Sequence, residues 1–172
     1  MEYVILVDEQ DQAIGKMEKQ QAHVEGVLHR AFSIFIFNSK KELLLQKRAS
    51  SKYHCGGLWS NTCCSHPREN EAVLDAANRR LLEEMGMQCN LTSIFAFVYK
   101  AAFENGLTEH EYDHVFFGES NEIPSINSEE VDDYRFVGMK ELQLEIQEQP
   151  QNFTPWFLIA LDRVNEFNNS QS

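Results

Sequence analysis

Positive charge is what this chain has least of. Its 172 residues carry 15 Lys and Arg against 27 Asp and Glu, for a formal charge of -12. A general nucleic-acid binder neutralises phosphates with a basic face, and this composition excludes one. An anionic ligand would need the few cations gathered at one place. Long apolar runs are also missing: nothing approaches the roughly 20 residues of a membrane helix, and Met1–Asp8 shows no basic region followed by an apolar run. The expectation is no membrane span and a cytoplasmic location. Cysteine is sparse, with Cys55, Cys63, Cys64 and Cys89 only. Adjacent Cys63 and Cys64 form no easy unstrained disulfide, and a chain of this size needs no staple. The thiols read as reduced, and no paired zinc-type spacing is present.

Hydrophobic residues make up 42% and charged residues 24%, the balance of a folded domain with a real core. No repeat or composition shift divides the chain, so residues 1–168 read as one domain and 169–172 as a flexible polar tail. Ala31–Phe37 is a continuous apolar and aromatic run, expected as a central strand buried on both faces. Glu2–Val7 precedes it as a strand, and Glu42–Lys47 returns after a turn as its hairpin partner. A Gly-containing loop spans Tyr53–Pro67. A helix then runs from about Glu71 to Met85, with Leu74, Ala77, Leu81 and Met85 as its apolar stripe and Gly86 as C-cap. Strands follow at Leu91–Lys100, Glu109–Phe117 and Asp133–Val137. Thr154 and Pro155 open the last helix as N-cap and first helical residue. The fold class is α/β (α+β), a mixed sheet sandwiched between helices.

Chemistry-bearing residues fall into three groups. On the helix, Arg79 and Glu83 are four apart, as are Arg80 and Glu84, so each pair shares a face. With Glu71 ahead of them and Met85-Gly86-Met87 behind, the run resembles the Nudix box, a loop–helix signature whose glutamates hold divalent metal against a diphosphate. Two departures matter. Ser65 stands where the pattern has glycine, and Arg80 where it has glutamate. Exchanging an acid of the hydrolytic metal site for a cation suits holding a diphosphate without cleaving it.

In the second group, Cys64 lies two residues before His66, so an extended backbone puts both on one side about 7 Å apart. An inert core cysteine is the plainer reading. The third group is Glu109-His110-Glu111, whose two carboxylates share one face of a strand. On a solvated edge they would be unremarkable; buried, they demand a cation or a raised pKa. His23, His29 and His66 add three nitrogens, which suits Zn²⁺, Mn²⁺ or Mg²⁺ and favours a transition metal.

Over nearly its whole length the chain resembles type I isopentenyl diphosphate isomerases. The matching stretches are Met17-Glu18-Lys19, His23 with His29-Arg30-Ala31-Phe32-Ser33, Lys47-Arg48-Ala49 with Lys52, Gly57-Leu58-Trp59-Ser60-Asn61 through His66-Pro67, Glu109-His110-Glu111, and Thr154-Pro155-Trp156. The interval from His23 to His29 is one residue shorter than in the bacterial form. The resemblance implies conversion of isopentenyl to dimethylallyl diphosphate through a tertiary carbocation, with isopentenyl diphosphate as the small-molecule partner. It implies Cys64, Glu111, Tyr99 and Trp156 as catalytic residues, and Lys19, Arg48, Lys52 and Arg80 as diphosphate-binding cations. It further implies one divalent metal on His23, His29, His66, Glu109 and Glu111, and Glu84 holding Mg²⁺ on the diphosphate. Trp59 reads as core. A monomer is expected. The alternative on the same fold is a Nudix pyrophosphohydrolase of a nucleotide-type diphosphate.

Overall fold

The computed structural model describes residues 1–52 and 54–171. Tyr53, at the start of the expected loop, and Ser172, the last residue of the expected tail, lie outside the described residues.

Strand β3 (His29–Phe37) organises the fold. One edge pairs in parallel with β8 (Thr108–Glu119) from His29↔Glu111 to Phe37↔Glu119. The other edge is shared in succession by β1 (Tyr3–Val7), β6 (Cys63–Ser65) and β4 (Leu43–Arg48). Because strand side chains alternate, β3 feeds two cores. Phe35 and Phe37 join one cluster, and Phe32, Ile34 and Ile36 join the other. Helix α2 (Val73–Met85) covers the second cluster with Ala76, Ala77, Leu81 and Met85. Helix α4 (Pro155–Ser170) covers the first with Phe157, Ala160, Leu161 and Val164. The mixed sheet between helices is as expected, and β3 is buried on both faces.

Several details differ from the sequence reading. The hairpin from β3 to β4 closes through one pair, Phe37↔Leu43; β4 then leaves β3 and pairs along its length with β9 (Val131–Val137). That frees the β3 edge for β6, which lies inside the expected loop together with the short β5 (Trp59–Ser60). Leu74 is 44% exposed and drops out of the α2 stripe, whose buried face passes through Ala76 and Glu84 instead. Three elements have weak signals of their own: β2 (Ala13–Glu18), mostly exposed; α1 (Lys19–Glu25); and α3 (Met139–Glu148), which buries Leu142 alone. Strand β7 (Leu91–Ala102) pairs antiparallel with β8 and puts Tyr99 opposite Glu111.

Helix ends follow local chemistry. Gly86 closes α2 at φ 63°, its N–H donating to the Leu82 carbonyl; a Cβ there would lie 2.6 Å from the Ser125 carbonyl oxygen, so only glycine fits. Thr154 occupies the N-cap of α4, but its hydroxyl bonds Ser60 Oγ (2.8 Å) rather than the helix. That bond ties the start of α4 to β5. The far end of α4 reaches Ser170, farther than the polar composition suggests, and Asn168 is buried there. Trp59 is half-buried against the first cluster, with the Arg135 guanidinium 4.6 Å from its ring centre.

Candidate active site

Five side chains from separate elements meet at one end of the β3–β8 pair. Ligand atoms of His23, His29, His66, Glu109 and Glu111 all lie within 4.8 Å of one another. The parallel register sets His29 directly beside Glu111. Strand alternation turns Glu109 to the same side, and both carboxylates are buried. His23 arrives from α1, whose N-cap Glu18 accepts from the backbone N–H groups of Gln20 and Gln21; the shortened interval to His29 does not keep it out. His66 follows β6.

The histidine hydrogen bonds reveal what the cluster is built for. His23 Nδ1 faces the Lys19 carbonyl at 2.6 Å, and His29 Nδ1 faces the Val27 carbonyl at 2.9 Å. A carbonyl only accepts, so Nδ1 carries the proton and Nε2 presents a lone pair when the ring is neutral. Those two lone pairs point at acids: His23 Nε2 is 2.7 Å from Glu109 Oε1 and His29 Nε2 is 3.2 Å from Glu111 Oε2; His66 Nε2 also lies 2.7 Å from that Glu111 oxygen. Lone pairs facing buried carboxylates repel unless a proton or a cation lies between them. Three nitrogens and two carboxylates, with the His23 and His29 tautomers set from behind by carbonyls, fit a divalent metal.

Tyr99 closes the back of this centre. Its hydroxyl donates to Glu111 Oε1 and lies 3.2 Å from Glu109 Oε2. Burial pushes the phenol up, so it stays protonated. Burial also raises Glu111, but hydrogen bonds from His29 and Tyr99 outweigh it and hold the carboxyl below its usual range. His29 is pulled down by burial and lifted above its ordinary value by Glu111 and Glu109. Burial takes His66 well below the usual imidazole range.

In front of the centre opens a cleft. Its wall includes Cys64, His66, Glu109, Glu111 and Trp156, and all four expected cations, Lys19, Arg48, Lys52 and Arg80. Strand alternation separates the adjacent cysteines. Cys63 is fully buried in the second core with its thiol 3.5 Å from Glu84, whereas Cys64 faces the cleft, 3.6 Å from Arg48 Nη1. Burial pushes the Cys64 thiol up to about 12, although Arg48 pulls the other way; it is a thiol, not a thiolate. Trp156 stands in the first turn of α4 and donates Nε1–H to Asn61 Oδ1 at 3.2 Å. Asn61 is itself pinned to the Ile34 and Cys63 carbonyls. The Arg48 guanidinium lies 5.3 Å from the indole ring, so that face accepts a cation.

Not every expected residue faces the cleft. Glu84 is 3% exposed and lies behind Arg80 (2.9 Å) and Gln46 (3.3 Å). Tyr99, His23 and His29 act from behind the wall. Glu71 and Arg79 form a bidentate pair at 2.8 and 2.9 Å, clasping the loop onto α2. Three acids and bases escaped the sequence reading. His54 Nε2 lies 2.5 Å from Glu109 Oε1, Glu130 joins Lys52 and Arg80, and Asp113, two residues beyond Glu111, is buried against the Ser33 hydroxyl. Only Asp113 had a signal in the sequence, as the third acid of one alternating face.

A family model described as NUDIX domain matches residues 27–157. The isopentenyl-diphosphate Delta-isomerase of Pectobacterium atrosepticum is 51% identical over 164 residues, spanning 95% of this chain and 92% of its own length. The isopentenyl-diphosphate Delta-isomerase 2 of Aromatoleum aromaticum is 53% identical over 161 residues, spanning 94% and 85%. Among solved structures, DR0079 from Deinococcus radiodurans aligns with a TM-score of 0.71 at 19% identity, covering 86% of this chain and 90% of its own. The MutT protein of Methanosarcina mazei aligns at 0.67 and 17% identity, covering 82% and 95%. At such identities these structures speak for the fold alone.

Proposed function

Because the chain belongs to the isopentenyl-diphosphate Delta-isomerase family, built on the NUDIX domain, we propose that its cleft converts isopentenyl to dimethylallyl diphosphate. The observation carrying this reading is one of placement. Cys64, Glu111 and Trp156 share a cleft with four cations in a protein of charge -12. The cations take the diphosphate, and the apolar five-carbon end then points toward the thiol, the carboxylate and the indole.

The reaction adds a proton to the terminal carbon of an unactivated alkene, which leaves positive charge on the tertiary carbon beside it, and then removes a proton from the methylene on the other side of that tertiary carbon. Cys64 and Glu111 divide these transfers as acid and base across the substrate. The raised thiol keeps its proton until the alkene is in place, and Tyr99 holds Glu111 in position from behind. Trp156 offers its face to the tertiary carbocation, worth about 2 kcal/mol when desolvated. Packed over the cleft at the head of α4, it also keeps out water, which would trap the cation as an alcohol. His23, His29, His66, Glu109 and Glu111 would hold a divalent ion, whose positive charge would orient Glu111 and set its acidity. The nitrogen-rich set favours a transition metal such as Zn²⁺ over Mg²⁺, and Glu84, paired with Arg80, would help hold a Mg²⁺ carried by the diphosphate. All four cysteines are free, which fits a reducing cytoplasmic setting.

Deuterium exchange tests the reading. Isopentenyl diphosphate incubated with the protein in D₂O should gain deuterium and yield the dimethylallyl isomer without phosphate release. The activity should be lost when chelator removes the metal. Phosphate release from nucleoside diphosphate derivatives, with no exchange, would point to a pyrophosphohydrolase instead. Arg80 argues against that outcome, because it pairs with Glu83 and Glu84 where hydrolysis needs free acids.

A further inference from the structure

The cationic wall is already paired. Lys19 holds Glu2 at 3.1 Å, Lys52 holds Glu130, and Arg80 Nη2 holds both Glu84 at 2.9 Å and Glu130 at 3.3 Å. Of the four cleft cations, only Arg48 lacks a carboxylate at ion-pair distance among the described residues. Glu130 is the unexpected member. It lines the cleft itself, bridges two of the cations, and has no part in the proton transfers. Its partners hold it below the usual carboxylate range against the upward push of burial, so it is an anion in an anion site.

An acid in that position costs affinity for any free anion. A diphosphate ester carries about three negative charges near neutrality, and it would meet Glu130 between the two cations meant for it. A divalent ion arriving with the diphosphate changes the sign of that encounter. Glu84 and Glu130 both bond the same guanidinium nitrogen, one from behind the wall and one from within the cleft. The two acids therefore flank the Arg80 guanidinium, and of the two it is Glu130 that lines the cleft where a diphosphate-borne ion would arrive. Resting on the diphosphate reading of the cleft, we infer that Glu130 is a specificity-determining residue that makes the site select metal-complexed diphosphate over the free anion.

Two roles for Glu130 give opposite signs. As a mere prop for Lys52 and Arg80, its loss would loosen both cations and weaken binding of diphosphate in every form. As a selector, its loss strengthens binding of the free anion. Calorimetric titration with inorganic pyrophosphate, with and without Mg²⁺, separates them. The protein keeps its His–Glu ion throughout, and circular dichroism verifies folding. Glu130→Gln should bind metal-free pyrophosphate roughly tenfold tighter than the parent, and the gain from adding Mg²⁺ should shrink by a similar factor. Glu130→Asp, which keeps the charge, should retain the Mg²⁺ dependence. Equal or weaker binding of the free anion by Glu130→Gln would overturn the inference. If the parent itself ignores pyrophosphate even with Mg²⁺, the diphosphate reading fails, and this inference with it.

Discussion

The back and front of the cleft are built by different means. At the back, four of the five clustered groups are fixed by backbone: strand alternation aligns Glu109 with Glu111, parallel register sets His29 beside them, and carbonyls hold the His23 and His29 rings. At the front, Lys19, Lys52 and Arg80 are long flexible cations paired with carboxylates, one of them 75% exposed, and Arg48 rests on Cys64 and the Trp156 ring. The first arrangement is rigid and suited to proton transfer at fixed points on the carbon chain. The second is adjustable and suited to an anion whose negative charge it must first trade for its own. Rigidity is concentrated where protons move, and compensation where charge is exchanged.

The sharpest challenge to that contrast is at neighbouring residues. Cys64→Ala should cut turnover about a thousand-fold, the scale of a lost acid or base, while diphosphate affinity stays within a few-fold. Cys63→Ala, in the core behind, should be mild. Reversed ranks in steady-state kinetics would mean that β6 presents the other thiol. Stripping the metal should come next. An ion present at a hundred times its dissociation constant contributes about 2.7 kcal/mol to the folded state, so chelation should lower the melting temperature. An unchanged melting curve would mean the back of the cleft holds no resident ion. Trp156→Leu should lose about 2 kcal/mol of transition-state stabilisation, roughly thirty-fold in kcat, and Trp156→Phe less, since it keeps an aromatic face; equal losses would reduce Trp156 to packing.

The smallest effect belongs to the frame. Glu71 is depressed chiefly by its hydrogen bonds from Arg79. A depressed carboxyl stabilises the fold above its unfolded pKa, and that stabilisation disappears as pH falls through the lower folded value. Glu71→Gln should therefore cost about 1 kcal/mol in denaturant unfolding at pH 7, and the gap to the parent should close below pH 4.5. A gap independent of pH would mean that Glu71 acts through shape and not charge.

Legibility in the sequence followed periodicity and motif. The apolar run at Ala31–Phe37 and the Thr154-Pro155 start were plain because local physics alone produces them. Strand β6 was invisible because three residues carry no period; it exists because β4 turns away to β9 and leaves an edge open. His54 and Glu130 gave no signal for a related reason. Each sits in a connection whose course is decided by what it packs on, and each meets its partners only across the cleft.

By itself, the sequence determined the class of chemistry: few cations in an acidic chain, two same-face carboxylates, three histidines, and a Cys64–His66 step, all set by side-chain type and short spacing. Tertiary structure alone decided which groups touch, because Glu109 and His23 lie 86 residues apart and meet only through the parallel pairing of β3 with β8. It also decided that Cys64 faces the cleft while Cys63 faces the core, since that depends on the register in which β6 joins β3, Cys63 beside Ile34 and Cys64 beside Ser33.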